Sequence, residues 1–258
     1  MIGAICGDFI GSVYEHQSIK SKDFPLFHQT CRFTDDTVLT VATMDALINK
    51  KNFTDAYKFW YRKYPQAGYG GSFIKWAAGE SQKPYNSWGN GSAMRVSPIG
   101  VYYQSLEDVL DYAEKSASVT HNHPEGIKGA QATATCIFLA KQGESKKEIE
   151  KYIEYKFNYS LDIDLDKLRK EYSFDVSCQG SVPQSIACFL QSTDYEDAVR
   201  NAVSLGGDSD TMACIAGGIA EAFYDMVPEE IKKTVWKSLP VEFQQIIDLF
   251  YMKLKNLK

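Results

Sequence analysis

The sequence predicts an all-α fold, one compact multi-helix domain over residues 1–258. Three observations carry that expectation. The stretch Met212-Ala-Cys-Ile-Ala-Gly-Gly-Ile-Ala-Glu-Ala-Phe223 is apolar almost all round, as a helix buried in the middle of a domain is. Most of the remaining chain falls into capped segments of helical period. No convincing alternating strand pattern, internal repeat or low-complexity linker interrupts them.

Taken in order, residues 1–14 read as a helix with Gly3, Gly7 and Gly11 at four-residue spacing, a smooth stripe that another helix can approach closely. Continued to Glu15, this helix would set Asp8 and Glu15 on one side. Residues 18–33 are irregular and basic (Lys20, Lys22, Arg32), punctuated by Pro25. Thr34 then reads as a cap, with Asp35 and Asp36 in the first turn and Val38, Leu39, Val41, Ala42 and Ala46 as the core face. Residues 53–64 form an amphipathic helix ended by Pro65 and Gly68. Residues 65–92, rich in Gly, Ser, Asn and aromatics, read as a loop, and loops of that length within a domain are often functional. Ser105 starts an amphipathic helix to residue 118, and a small-residue helix over 125–141 follows His121-Asn-His-Pro124. Residues 145–172 read as charged, helical and exposed, and 178–183 as a second loop before a short apolar helix. Residues 194–205 lead into Gly206-Gly-Asp-Ser-Asp-Thr211. Two amphipathic helices, 228–237 and 241–257, close the chain.

Composition narrows the class. The hydrophobic fraction of 44% and charged fraction of 24% are ordinary for a soluble globular protein. A net charge of −5 gives no general footprint for nucleic acid or an anionic membrane. The six cysteines form no C-x-x-C pair and no zinc spacing, so they read as buried thiols of a reducing cytosol. The N-terminus lacks the cationic flank of a signal peptide, and no apolar run reaches the roughly 20 residues a bilayer requires. The expected location is cytoplasmic. The sequence does not predict an oligomeric state.

Chemistry concentrates at two places. Asp208 and Asp210 sit at the mouth of the apolar helix, where charge is costly unless paired or bound to a metal. Thr34-Asp-Asp-Thr37 opens a second apolar segment in the same way. Either alone is also what a well-capped helix start looks like. Together, Asp35, Asp36, Asp208 and Asp210 are enough to reverse the field of two helix ends, and the two stretches are expected to face each other across one metal site. Their all-oxygen donors favour Mg²⁺ or Mn²⁺ over zinc. None of His16, His28, His121 or His123 has a Glu three residues before it, which removes a di-iron carboxylate bundle. Asp35-Asp36 is followed by Thr, Val and Leu39, not by the D-D-x-x-D of prenyl-diphosphate enzymes. Asp208-x-Asp210 follows two glycines and precedes a helix, unlike the strand-end pair of an aspartyl-phosphate phosphohydrolase. His121-x-His123 suits a metal pair, a phosphate contact or a structural role. Asn90-Gly-Ser92 and Gly206-Gly207 suit a pyrophosphate or ordinary turn chemistry. Tyr69, Phe73, Trp76, Tyr85 and Trp88 suit an adenine or the core.

With these residues assembled, the chain resembles the ADP-ribosylglycohydrolase family, the relatives of dinitrogenase-reductase-activating glycohydrolase. Six segments carry the resemblance, in order and almost end to end: Gly7-Asp-Phe-Ile-Gly11-Ser-Val-Tyr-Glu15, Thr34-Asp-Asp-Thr37, Gly89-Asn-Gly-Ser-Ala-Met-Arg95, Thr120-His-Asn-His-Pro124, Gln179-Gly-Ser-Val-Pro183 and Gly206-Gly-Asp-Ser-Asp-Thr211. Each is weak alone; six in this order are specific. The resemblance implies an all-helical domain holding two Mg²⁺ ions, with Mn²⁺ as the substitute, in a cleft that binds ADP-ribose. Thr34, Asp35, Asp36, Asp208, Asp210 and Thr211 would ligate the ions. Glu15, Asp36 and Asp208 would carry the catalysis, with Glu15 the candidate base or gate beside the attacking water. Asn90, Gly91, Ser92 and His123 would hold the pyrophosphate, with Gly126, Gly180, Ser181, Gly206 and Gly207 completing the substrate loops. The implied activity is hydrolysis of an N- or O-glycosidic bond to ADP-ribose. The conjugate would be an ADP-ribosylated protein or a small molecule such as an O-acyl-ADP-ribose; nucleic acid enters only as an ADP-ribosylated substrate. The alternative is an inactive ADP-ribose-binding or structural member, against which both ligand sets are complete. A weaker third reading is a nucleotide-pyrophosphate phosphohydrolase. The compact chain leaves little extra structure for docking a large modified protein.

Overall fold

A computed structural model of the protein describes residues 1–256. Eight of its helices begin where a polar side chain satisfies a free amide of the first turn. Helix α1 spans Ile2–Gly11 and α2 Asp35–Asn49, the latter capped by Thr34, whose side chain accepts from the Asp36 amide. Asn52 caps α3 (Phe53–Lys63), and α4 covers Gly71–Ala78. A single 3₁₀ turn, Asn90–Ser92, precedes α5 (Ser97–Tyr102). Ser105 caps α6 (Leu106–Ser118), and His123 caps α7 (Pro124–Lys141). Ser145 caps α8 (Lys146–Phe157), Asp164 caps α9 (Leu165–Glu171) and Ser177 caps α10 (Cys178–Leu190). Asp194 caps α11 (Tyr195–Ser204), which leads into α12 (Ser209–Tyr224), α13 (Glu229–Ser238) and α14 (Val241–Lys255). Among the described residues the only β-type pairing is an isolated antiparallel bridge between Gly89 and Ser177, so the all-α expectation holds.

The core is organised around α12, buried from Ser209 to Ala220, and α1, buried along its whole length. The glycine stripe explains how two helices pack there with almost no side chains between them. A Cβ on Gly7 would lie 2.0 Å from the carbonyl oxygen of Ala213, and one on Gly3 would lie 2.6 Å from that of Gly217. On Gly11 it would lie 2.4 Å from the Ser209 carbonyl. Rising numbers on α1 meet falling numbers on α12, so the pair is antiparallel. The C-terminal end of α1 is thereby delivered to the N-terminal end of α12. Around this pair, α2, α5, α7, α10 and α11 complete the core.

Four expectations change. Helix α1 stops at Gly11, where the Ser12 hydroxyl turns back to donate to the Phe9 carbonyl (2.9 Å), so Asp8 and Glu15 do not share a continuous helix. The 65–92 loop contains α4, because Phe73, Trp76 and Ala77 supply a buried face at helical spacing. Residues 178–183 are the opening turns of α10 rather than a loop. The Ser177 side chain accepts from the Gly180 amide, and burial of Val182, Pro183 and Ile186 offsets the one backbone bond that Pro183 cannot make. The 145–172 stretch is two helices parted at Asn158, whose φ of 52° ends α8. The last predicted helix is borne out to Lys255; Leu257 lies outside the described residues. Among the described residues no cysteine is paired, and all but Cys31 are buried. No helix of the described residues is long and apolar enough to cross a membrane.

The α1–α12 contact makes a stability prediction of definite sign. Gly→Ala in an open helical position stabilises by about 0.5–1 kcal/mol, and Gly71, with nothing within 4 Å of a built Cβ, is expected to behave so. Gly7→Ala meets backbone that cannot rotate away, and is expected to lower the unfolding free energy by about 3 kcal/mol. Urea denaturation of both variants checks this. Equal effects would remove the tight contact.

Candidate active site

Because α1 and α12 run antiparallel, the acids at one end of each converge, and the start of α2 completes the group. Asp8 is fully buried on α1 and is the anchor. Its Oδ2 accepts from the amides of Thr34 (2.9 Å) and Thr37 (3.1 Å) and from the Thr37 hydroxyl. Its Oδ1 accepts from the Thr34 hydroxyl (2.7 Å). One carboxylate therefore caps α2 from outside that helix and fixes where Asp35 and Asp36 stand. The Thr211 hydroxyl donates to Asp36 Oδ2 (3.1 Å), tying α12 to α2. The Asn90 side-chain amide donates to Asp208 Oδ2 (2.7 Å).

Two carboxylate triads result. Oxygens of Asp8, Asp36 and Asp210 lie within 4.8 Å of one another, and so do those of Glu15, Asp208 and Asp210. Asp210 belongs to both. Burial first, and then the neighbouring charge of Asp210, push the Asp35, Asp36 and Asp208 carboxyls well above the usual carboxylate range. The same two causes raise Glu15, and they raise Asp8 to about 7 against its threonine hydrogen bonds. Among the described residues no lysine or arginine lies within 4.0 Å of the aspartates; only Glu15 has a partner, His16 at 3.5 Å. Oδ1 of Asp36 is buried with no hydrogen-bond partner.

These features fit a divalent cation. An orphaned buried carboxylate oxygen, a shared central carboxylate and an all-oxygen donor set suit Mg²⁺ or Mn²⁺. The two helix starts supply about one positive charge between them, too little to balance so many carboxyls.

The acidic wall bounds a cavity of about 510 Å³. Nine residues expected at the site line it: Glu15, Thr34, Asp35, Asp36, Asn90, Gly91, Asp208, Asp210 and Thr211. The two acidic stretches do face each other. Seven others are not among the lining residues and stand behind or beside the wall. The Ser92 hydroxyl donates to the Gly126 carbonyl (2.7 Å), and the Ser181 hydroxyl to the Ser177 carbonyl (2.6 Å). Gly180 accepts from the Tyr172 hydroxyl (2.6 Å), Gly206 accepts from Ser18 (2.8 Å), and Gly207 abuts the Tyr172 ring. The His123 Nδ1 accepts from the Glu125 amide (3.1 Å), and its ring packs on Trp88. It is His121 that reaches the cavity, with Phe73, Tyr85 and Arg95. Tyr69 and Trp76 are core, and Trp88 is exposed.

Sequence reasoning missed Asp8 and His121 as site residues. Asp8 follows Gly7, and a charge inside the smooth stripe was the available signal. For the histidine pair, Pro124 marks residue 123 as a helix cap, which leaves residue 121 free for other work.

The raised carboxyls fix the sign of a metal-binding prediction. A folded-state pKa above the unfolded value of about 3.9 gives stability that is present at low pH. That stability is lost as pH rises through the folded value, about 7 for Asp8. The ion-free protein is therefore penalised at high pH, where bound cations replace protons. Mg²⁺ is expected to raise Tm more at pH 8 than at pH 5.5, by an amount that grows with concentration and is reversed by chelator. Asp36→Asn is expected to abolish the rise. A Tm indifferent to Mg²⁺ and Mn²⁺ at pH 8 would refute a cation site.

Known proteins resemble this chain over most of its length. The family model described as ADP-ribosylglycohydrolase matches residues 1–256. ADP-ribosylhydrolase ARH3 of Mus musculus is 29% identical over 311 aligned residues, covering 89% of this chain and 84% of that protein. ADP-ribosylarginine hydrolase Tri1 of Pseudomonas putida (strain GB-1) is 23% identical over 273, covering 92% and 73%. A solved structure titled ADP-ribosylglycohydrolase-related protein complex shares the fold, with a TM-score of 0.72 at 20% identity over 98% of this chain and 96% of its own. The chain belongs to the ADP-ribosylglycohydrolase family of enzymes.

Proposed function

We propose that the protein is a Mg²⁺-dependent hydrolase that cleaves the glycosidic bond joining ADP-ribose to an acceptor. The observation that carries this reading is the pair of carboxylate triads sharing Asp210 on one wall of a cavity large enough for a nucleotide. In the reaction, water adds to the anomeric carbon of the distal ribose while the bond to the acceptor nitrogen or oxygen breaks. The proton lost by the water balances the one gained by the acceptor. The transition state carries oxocarbenium-like positive charge on the sugar, which an acidic wall stabilises.

Thr34, Asp35, Asp36, Asp208, Asp210 and Thr211 would hold two ions. Bound Mg²⁺ or Mn²⁺ supplies Lewis acidity and lowers the pKa of water near it. The chain's own groups do the rest. Glu15 lines the cavity half-buried, and burial beside Asp210 raises its carboxyl, as suits a base working near neutral pH. Asn90 holds one oxygen of Asp208 by hydrogen bond and leaves the other to the site. Asp8 accepts four hydrogen bonds and positions α2 rather than meeting substrate. Elsewhere in the lining, Gly91 offers a surface without a side chain, and Phe73 and Tyr85 would present rings to a base. The acceptor is a modified protein or a small ADP-ribose conjugate. Since every carboxylate of both motifs is present and converges, no observation favours a non-catalytic member.

The test is product analysis with purified protein, Mg²⁺ and a panel of arginine-, serine-, acyl- and nucleobase-linked ADP-ribose. Free ADP-ribose is the expected product from at least one linkage, with activity falling more than about 100-fold in Asp208→Ala. Release of AMP instead would identify cleavage of the pyrophosphate, and turnover that survives both chelator and Asp208→Ala would end the proposal.

A further inference from the structure

Glu15 stands on the irregular stretch between α1 and α2 rather than on a helix, so regular backbone bonding does not fix it. His16 and Gln17, which follow it, are exposed, and Ile19 packs on the core. Three bonds tie this stretch to the turn that leads through Asp208 into α12. The Ser209 hydroxyl donates to the Tyr14 carbonyl (3.4 Å), the Ser18 hydroxyl to the Gly206 carbonyl (2.8 Å), and the Lys20 ammonium to the Leu205 carbonyl (2.5 Å). Gly206 allows the two segments to meet. Its φ is 65°, and a Cβ there would lie 2.3 Å from Ser18 Oγ.

Lys20 does more than join two loops. Its ammonium also donates to the Tyr172 carbonyl (2.5 Å). Tyr172 ends α9 and Leu205 ends α11, where carbonyls lack helical donors and partial negative charge collects. One ammonium, with three donors, therefore caps two helix C-termini at once. The Tyr172 ring in turn abuts Gly207, and its hydroxyl donates to the Gly180 carbonyl (2.6 Å). Helices α9, α10 and α11 are thereby gathered at the turn that carries Asp208.

The tie opposes a repulsion. Oxygens of Glu15, Asp208 and Asp210 lie within 4.8 Å of one another, and like charges that close push apart. Asp208 and Asp210 are held by the packing of α12, whereas Glu15 sits on a half-exposed stretch that is free to yield outward. We propose that Lys20 is a positioning residue: by capping α9 and α11 together it clamps the stretch bearing Glu15 onto the turn bearing Asp208, and so keeps Glu15 in its triad. The catalytic consequence rests on the hydrolase reading above; the clamp does not.

The test removes the ammonium and keeps an apolar stem. In Lys20→Met, hydrogen exchange is expected to speed about tenfold at the Tyr172, Leu205 and Gly206 amides, which donate to the Leu168, Ala202 and Val203 carbonyls. Amides at the start of α2 should not change. With substrate, kcat is expected to fall roughly 10- to 100-fold while KM stays within about twofold. Lys20→Arg should restore both exchange and kcat, because a guanidinium still offers two donors. In a Glu15→Gln background, Lys20→Met should cost nothing further, since the group it positions is already gone. Unchanged exchange, unchanged kcat, or a loss in the Glu15→Gln background as large as in the wild type would overturn the proposal. If the wild type turns over no conjugate, the hydrolase reading falls, and the same cycle read as Mn²⁺ affinity by calorimetry decides the clamp. Additive losses of affinity overturn it, and no further loss in Glu15→Gln sustains it.

Discussion

Carboxylates repel, and they share one buried wall here only because a stronger contact forces them to. That contact is the backbone of α1 lying against the backbone of α12 through Gly3, Gly7 and Gly11. Because the touching atoms are main chain, their spacing cannot relax by side-chain rotation. Asp8, Asp208 and Asp210 are therefore held together by the packing of the whole core rather than by attraction at the site. The energy comes from apolar burial along α12 and its neighbours. It is spent on a crowding that an isolated helix end would not tolerate.

The crowding is also graded. Asp8 and Asp36 are both deeply buried, yet Asp8 accepts four hydrogen bonds while Asp36 keeps one oxygen without a partner. The first arrangement is mainly structural, since three of the four bonds crowd Oδ2 and only Oδ1 keeps room for another contact. The second leaves a lone pair in a low-dielectric place, where an unmet acceptor is expensive and a cation is the economical remedy. Asp210, common to both triads, is the residue through which two ions would be coupled. Loss of Asp210 should therefore disturb both positions, whereas loss of Asp208 should weigh on the Glu15 side.

What the sequence made legible follows from which interactions are local. Caps, apolar period and the glycine stripe are read within a few residues, and they gave the helix starts at Thr34 and Ser105 with the tight α1 face. The two acidic motifs were legible as a pair, because either alone is what a well-capped helix start looks like. Non-local partners were not. Nothing near Asp8 in sequence says that Thr34 and Thr37 will hold it. The opening of α10 was misread because Gly180 and Pro183 are loop residues by propensity, and only burial of Val182 and Ile186 against neighbouring helices reverses that. The histidine pair shows the same limit. Two imidazoles separated by one residue look equivalent until a cap takes one and the cavity takes the other.

The cavity lining therefore holds two sets of groups that ask for opposite things. On the α1–α2–α12 side, carboxyls raised by burial and by one another call for positive charge. Elsewhere in the lining, Arg95 is buried without a counter-ion and His121 is kept neutral by burial and the Arg95 charge. A ligand satisfying both must carry hydroxyls for cations at one end and anionic oxygens for a donor at the other, separated by less than the cavity's span. A sugar joined to a pyrophosphate meets that description, and a bare sugar or a bare phosphate meets half of it. On the proposed function, the sugar carbon beside the carboxylates is the atom best placed to gain positive charge, because an acidic lining stabilises an oxocarbenium-like transition state. That placement is what supports cleavage at the glycosidic carbon as the reading of the site.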